Sequence, residues 1–354
     1  MIGLVSINED RNYGAVLQAV GIQSFLTEIG IDSKFVCINR EYNTVLNCSF
    51  HSPKQWLKSL FTFMHYKSLK NGCDRFQSFI DKNQKLFPKY NNYDELTKNP
   101  PNVKGYIVGS DQVWPEANLT SFYSLAFADK NNVKISYAAS MGKDIIAQCN
   151  KEIYRNYLRE FDAVSVREKS AIDAISEVYD GEISYHVDPT LLHDDMVWQK
   201  YEHEYDGKLP LKYILLYMIY VPSDVNKQLN QIRDYTELPI VMVSNTPYKR
   251  IKCDYYIRDA GPAEFLWLIH HAQGIISSSY HGVVFSIIYR KPFLAINNPK
   301  NGVRINNLLD LFDLQERSGW DKAFLEFEYD VDYIDKVLEI EKNRSCKYIK
   351  DKLL

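Results

Sequence analysis

Cysteine is scarce in this chain: six among 354 residues, at Cys37, Cys48, Cys73, Cys149, Cys253 and Cys346, with no C-x-x-C pair. That scatter builds neither a disulfide framework nor a cysteine zinc site, and a reducing compartment suits it. A surplus of one charge is also missing. Lys and Arg number 42 against 45 Asp and Glu, a net −3, so the basic footprint of a nucleic-acid binder is absent. No run approaches the roughly 20 apolar residues that span a bilayer. The N-terminus has no basic region ahead of a long apolar stretch, so it does not read as a signal peptide. There are no internal repeats and no low-complexity tracts. The expectation is a soluble, cytoplasmic protein that does not bind nucleic acid. What the chain does have is 45% hydrophobic residues, enough for two sizeable cores, and an aromatic excess of 26 Tyr, 17 Phe and 5 Trp.

Short apolar runs alternate with helical patterns, the signature of parallel sheets with crossover helices. Strands are predicted over 3–7, 33–38, 105–108, 134–138, 162–166 and 183–187, with helices over 15–29 and 167–178. The pattern pauses in a polar stretch containing Gly207 and Pro210. It resumes with strands over 213–220, 239–243, 274–278 and 292–296 and helices over 223–235, 262–272 and 283–289. A helical tail follows over 331–354. The fold class is therefore α/β, with two Rossmann-like doubly wound domains facing across a cleft. Domain 1–195 carries a helical insertion at about 45–90, 200–325 is the second domain, and 326–354 is a tail.

Ligands of open α/β sheets bind at loops leaving the carboxyl ends of strands, and four such loops stand out. Asn12-Tyr13-Gly14 opens a helix whose free N–H groups could hold an anion, or Gly14 simply permits a tight turn. There is neither a G-x-G-x-x-G run nor a Walker lysine. In Gly109-Ser110-Asp111-Gln112-Val113-Trp114, the small pair lets a ligand approach the backbone. Asp111 there either accepts from a sugar hydroxyl or caps a turn. Arg167, at the end of a strand, suits bidentate recognition of carboxylate or phosphate, or pairs with Glu168 or Asp173. The fourth loop, Ser277-Ser278-Ser279-Tyr280-His281-Gly282, runs from an apolar strand into an apolar helix. His281 there is placed for acid–base chemistry or for a structural hydrogen bond. His270 and His271 show no metal-ligand spacing with carboxylates, and no metal site is expected.

In order along the chain, these loops resemble the polysaccharide pyruvyl transferase family. The matching segments are Asn12-Tyr13-Gly14-Ala15-Val16-Leu17-Gln18, Gly109 to Trp114 as quoted, and Ser136-Tyr137-Ala138-Ala139-Ser140-Met141-Gly142. They continue with Ser165-Val166-Arg167-Glu168-Lys169-Ser170 and Val187-Asp188-Pro189-Thr190-Leu191-Leu192. The last is Ser279-Tyr280-His281-Gly282-Val283-Val284-Phe285-Ser286, followed by Lys291-Pro292-Phe293. The resemblance implies a fold similar to GT-B glycosyltransferases. It also implies transfer of pyruvate from phosphoenolpyruvate to a hexose, forming a cyclic ketal and releasing phosphate, with phosphoenolpyruvate as co-substrate and no cofactor. His281, Arg167 and Lys300 map to the donor-site residues, with Arg304 competing with Lys300 for the role of second cation. Ser279 and Gly282 join the donor side, and Asn12, Tyr13, Gly14, Gly109, Ser110, Asp111, Gln112 and Trp114 the acceptor side.

Two other readings stay open. One is a GT-B-like transferase of nucleotide sugars, with the helix start Pro262-Ala263-Glu264 serving a ribose. The other is a catalytically silent sugar-binding homologue. Residues 51–70 carry Lys54, Lys58, Lys67 and Lys70 without an acid, interleaved with Trp56, Leu57, Leu60, Phe61, Phe63, Met64 and Tyr66. Such a helix either packs its apolar stripe on the first domain or lies on an anionic membrane. The second alternative would dock the enzyme beside a lipid-linked saccharide on the inner membrane face. Trp114, Phe122 and Tyr123 are expected to face lipid or sugar rings.

Overall fold

A computed structural model describes residues 1–9, 11–39, 62–116, 122–244, 251–299 and 302–353. The apolar runs of the first half form strands β1 (Ile2–Val5), β2 (Ser33–Phe35), β3 (Gly105–Val108) and β4 (Val133–Ser136), all parallel, in the order β2-β1-β3-β4. Bridges at Ile135–Ala163 and Ala139–Val166 carry this sheet onto the parallel pair β5 (Val164–Val166) and β6 (Ile183–Tyr185). The second half folds as β7 (Ile214–Tyr217), β8 (Ile240–Val243), β9 (Tyr255–Ile257), β10 (Gly274–Ser277) and β11 (Phe293–Ala295). Its parallel order is β11-β10-β7-β8-β9. Central strands are buried along their whole length, as sheets covered on both faces require.

Helices of eight residues or more are α1 (Tyr13–Glu28), α2 (Tyr66–Asn83), α3 (Lys151–Leu158), α4 (Val225–Thr236), α5 (Pro262–His271), α6 (Tyr280–Ile288), α7 (Val303–Leu311) and α8 (Val331–Leu353). Several depart from the sequence pattern in ways that bear on the site. The helix expected over 167–178 is confined to Ala171–Ser176, because Arg167 and Glu168 are drawn into a buried ionic cluster. The helix expected from 283 starts at Tyr280, which places His281 in its first turn. Strand β9 was missed because it is an edge strand with Tyr256 outward, so its apolar signal is thin. Of the segment 51–70, residues 51–61 lie outside the described residues. The remainder buries Thr62 and Leu69 and exposes Phe63, Met64, Tyr66, Lys67 and Lys70.

The two sheets share one continuous apolar core. Tyr13 stacks on Phe265 of α5 at 4.2 Å between ring centroids and donates its hydroxyl to Ala260 O at 2.8 Å. Arg75 of α2 reaches Asp259 O and Asp206 in the second half. Helix α8 returns to the first half, where Tyr348 Oη donates to Ser136 O at 2.9 Å and Ser345 Oγ accepts from Tyr137 at 3.0 Å. Phe122 and Tyr123, expected to face lipid or sugar, are buried in the second apolar cluster of the first half. Among the described residues no helix is long and apolar enough to cross a membrane.

Candidate functional site

Both sheets reverse their winding direction, between β1 and β3 in the first and between β7 and β10 in the second. Loops diverge at such switch points and leave a crevice. A cavity of about 300 Å³ lies there, lined by Asn12 after β1, Asp111 and Gln112 after β3, and Ile219 and Tyr220 after β7. Ser278 to His281 after β10, and Asn298, Arg304 and Ile305 after β11, complete it. Most of these groups lie far apart in sequence and are assembled by the topology.

Asp188 is the hub beside this cavity. It is fully buried and accepts from Arg167 Nη1 at 2.7 Å, Ser110 Oγ at 3.1 Å, Thr190 Oγ1 at 2.8 Å and Thr190 N–H at 3.1 Å. His281 Nε2 faces the same carboxylate at 3.4 Å from across the cleft. Burial alone would raise the Asp188 pKa, but His281, Arg167 and the Thr190 N–H hold it well below the carboxylate range. In the sequence Asp188 appears only within the Val187–Leu192 motif, where residue type alone gives it no role. Its signal was a carboxylate just beyond a short β-strand, the same cue that singled out Arg167.

Arg167 is enclosed. Its side chain is 1% exposed and it meets Asp188, Asp111 at 3.4 Å and Glu168 at 3.5 Å, with the Tyr280 ring 4.6 Å from its guanidinium carbon. Burial works against its charge, but Asp188, Asp111 and Glu168 outweigh burial and fix it as a cation. It is not among the residues that line the cavity, and its hydrogen bonds and ion pairs run to Asp188, Asp111 and Glu168. Arg304 is the contrasting case. It lines the cavity, its Nε is buried without a hydrogen-bond partner, and burial and then Arg167 lower its pKa. Glu168 and Asp111 act the other way but form no ion pair with it among the described residues. Lys300 lies outside the described residues.

His281 is packed with little slack. Its Nδ1 stands where a Cβ on Gly14 would lie, 2.0 Å from that position, so Gly14 is the residue that admits the imidazole. Ser279 stands at the N-cap of α6 without a side-chain capping bond, and the first intrahelical bond runs from Val283 N–H to Ser279 O. The N–H groups of Tyr280, His281 and Gly282 are thus left at the helix start, beside the cavity, where anions are favoured. Gly282 serves packing rather than the cavity wall, since a Cβ there would fall 2.2 Å from Ser277 Oγ. Ser278, outside the expected set, accepts the Ile219 and Tyr220 N–H groups at 2.8 Å each and so pins the β7 loop to the β10 loop.

The expected acceptor side splits. Asn12, Asp111 and Gln112 line the cavity, with Asn12 also accepting from Gly14 N–H at 3.0 Å as the cap of α1. Tyr13 does not, because it is wedged between the halves. Gly109 lies against Tyr137 O, and Ser110 is buried on Asp188 and Ala138 O. Trp114 is fully buried, edge-on to Tyr157 and Phe161, and cannot meet a sugar ring. Glu264, considered for a ribose, accepts from Gly261 N–H at 2.9 Å and faces Arg75 at 3.7 Å.

Comparison with known proteins agrees with this architecture. Arabidopsis thaliana UGT89C1 complexed with quercetin superposes with TM-score 0.50 at 8% identity, covering 100% of this chain and 99% of its own. UDP-N-acetylglucosamine 2-epimerases also align, that of Methanocaldococcus jannaschii with TM-score 0.48, 14% identity and 97% and 92% coverage. The Rickettsia bellii enzyme gives 0.44, 10%, and 98% and 97%. The fold is GT-B, as expected. No curated protein matches the sequence. The family model described as polysaccharide pyruvyl transferase matches residues 12–301, which include the α1 cap, the Asp188 hub and the His281 helix start, and the chain belongs to that family.

Proposed function

We propose that the protein transfers pyruvate from phosphoenolpyruvate to a hexose of a bacterial surface-polysaccharide precursor, forming a cyclic ketal and releasing phosphate. The observation that carries this reading is the unpaired, desolvated Arg304 in a cavity that also holds the start of α6. A substrate with a carboxylate and a phosphate supplies the anions such groups lack. His281 is the general acid, delivering a proton to the enol carbon or to the departing phosphate. Protonation of that carbon makes the methyl group and leaves C2 oxocarbenium-like. One sugar hydroxyl adds to C2 and gives up its proton, the C2–O bond to phosphate breaks, and the second hydroxyl closes the ketal with loss of its own proton. Arg167 and Asp188 act behind this chemistry by fixing His281, and no step calls for a metal or cofactor.

A nucleotide-sugar reading is less favoured, because Glu264 is committed to Gly261, Arg75 and His203. The test is incubation with phosphoenolpyruvate and candidate acceptors. A mass gain of pyruvate minus water, with phosphate released, supports the proposal; gain of a sugar from a nucleotide sugar, or near-wild-type turnover by His281→Ala, overturns it. We further place the acceptor on a lipid carrier at the inner membrane face. Exposed Phe63, Met64 and Tyr66 beside Lys67 and Lys70 support this, because such a surface suits an anionic bilayer. Absence of co-sedimentation with anionic liposomes overturns that placement.

A further inference from the structure

Glu202, His270 and His271 are not among the residues lining the cavity and have no part in the chemistry above. Their potential ligand atoms nonetheless lie within 4.8 Å of one another. The sequence hides this cluster, because Glu202 stands 68 residues before His270 and is brought there by the connection between the sheets. We propose that these three side chains form a binding site for a divalent cation of the zinc class, tying that connection to the second half of the molecule.

The geometry is prepared in three respects. His271 Nδ1 lies 2.9 Å from Trp267 O, and because a carbonyl only accepts, Nδ1 carries the proton. Nε2 is therefore left with its lone pair outward, the tautomer that backbone carbonyls impose on metal-bound histidines. His270 Nδ1 sits 3.0 and 3.2 Å from the two Glu202 oxygens, and its ring lies flat on Tyr289 at 4.7 Å, which fixes its plane. Both histidines occupy the last turn of α5, where the partial negative charge of the helix end favours a cation. Zinc bonds of about 2.0–2.1 Å in a tetrahedron place donors roughly 3.4 Å apart. Glu202 and His270 lie close to that spacing, the metal displacing the proton they now share, and the His271 ligand atom lies within 4.8 Å of both. Two imidazoles and a carboxylate select zinc and its later-transition-metal neighbours over magnesium or calcium.

The test titrates zinc chloride into chelator-stripped full-length protein by calorimetry, with cobalt(II) absorption reporting coordination. The expected result is one equivalent bound in the micromolar range, a tetrahedral cobalt spectrum, and a loss of affinity of tenfold or more in Glu202→Gln and in His271→Ala. His271 is exposed, so that variant is expected to fold, and circular dichroism checks it. Absence of binding at millimolar zinc, or binding unchanged in the His270→Ala/His271→Ala double variant, overturns the proposal.

Discussion

Burial acts on Asp188 and Arg304 in opposite ways. Asp188 is repaid for desolvation by Arg167, Ser110 and Thr190, with His281 opposite, so its charge is part of the fold. Removing one member of a buried pair typically costs about 3–5 kcal/mol. Asp188→Asn should therefore lower unfolding free energy by that order, measured by denaturant titration, and a loss below about 1 kcal/mol would show that the hub is not structural. Arg304 carries a charge that burial and Arg167 disfavour, and its Nε has no hydrogen-bond partner. Arg304→Met should leave stability within about 0.5 kcal/mol of wild type or raise it, since no native hydrogen bond at Nε is lost. A charge-assisted hydrogen bond to a ligand is worth about 1.5–3 kcal/mol. The same variant should raise KM for phosphoenolpyruvate roughly tenfold to a hundredfold. Unchanged KM in a phosphate-release assay would remove Arg304 from the donor site.

Two helix starts meet at the site, α1 from the first half and α6 from the second. Alanine in place of an ordinary helical glycine stabilises by about 0.5–1 kcal/mol. At Gly14 the sign should reverse, because the new Cβ would lie 2.0 Å from His281 Nδ1 and displace the ring from Asp188. Gly14→Ala should lower kcat at least tenfold, while circular dichroism remains that of the folded protein; a variant with wild-type kcat would show that His281 needs no fixed seat. This contact also marks how far the sequence could be read. Ten of the eleven strands announce themselves as apolar runs, and His281 and Arg304 stand out by residue type and position. Periodicity could not show that Gly14 is the floor under His281, nor that Trp114 and Tyr13 are core, because an aromatic in a sugar site and one in an apolar core look alike along the chain. Asp188 joins Arg167 and His281 through contacts spanning 21 and 93 positions, and Glu202 joins His270 across 68. Such pairings exist only once both sheets are assembled.

The molecule closes on itself through α8, and the joint contains a histidine held neutral. His186 is buried between Tyr137 and Tyr348, 4.5 Å from the latter ring, and shares a 2.9 Å hydrogen bond with Ser165. Burial, and then the nearby Arg344, push its pKa down to about 3. An unfolded chain takes up that proton below about pH 6.5, whereas the folded chain refuses it until about pH 3. More protons are bound in the unfolded state across that window, so stability must fall as pH is lowered from about 6.5 toward 3, by about 1.4 kcal/mol per unit for one such group. Between pH 7 and pH 5 the integral is about 2 kcal/mol. His193, also depressed, chiefly by burial, adds to the same slope. His186→Gln removes one titrating group, so its stability at pH 7 should drop while its loss between pH 7 and pH 5 becomes about 2 kcal/mol smaller than that of wild type. Urea midpoints at the two pH values measure both quantities. Hydrogen exchange then locates the effect: amides of α8 and β4, joined through Tyr348 and Ser136, should lose protection first on acidification. Parallel slopes in wild type and variant would mean that His186 takes up its proton in the folded protein, and that the joint between α8 and the first sheet is open to water.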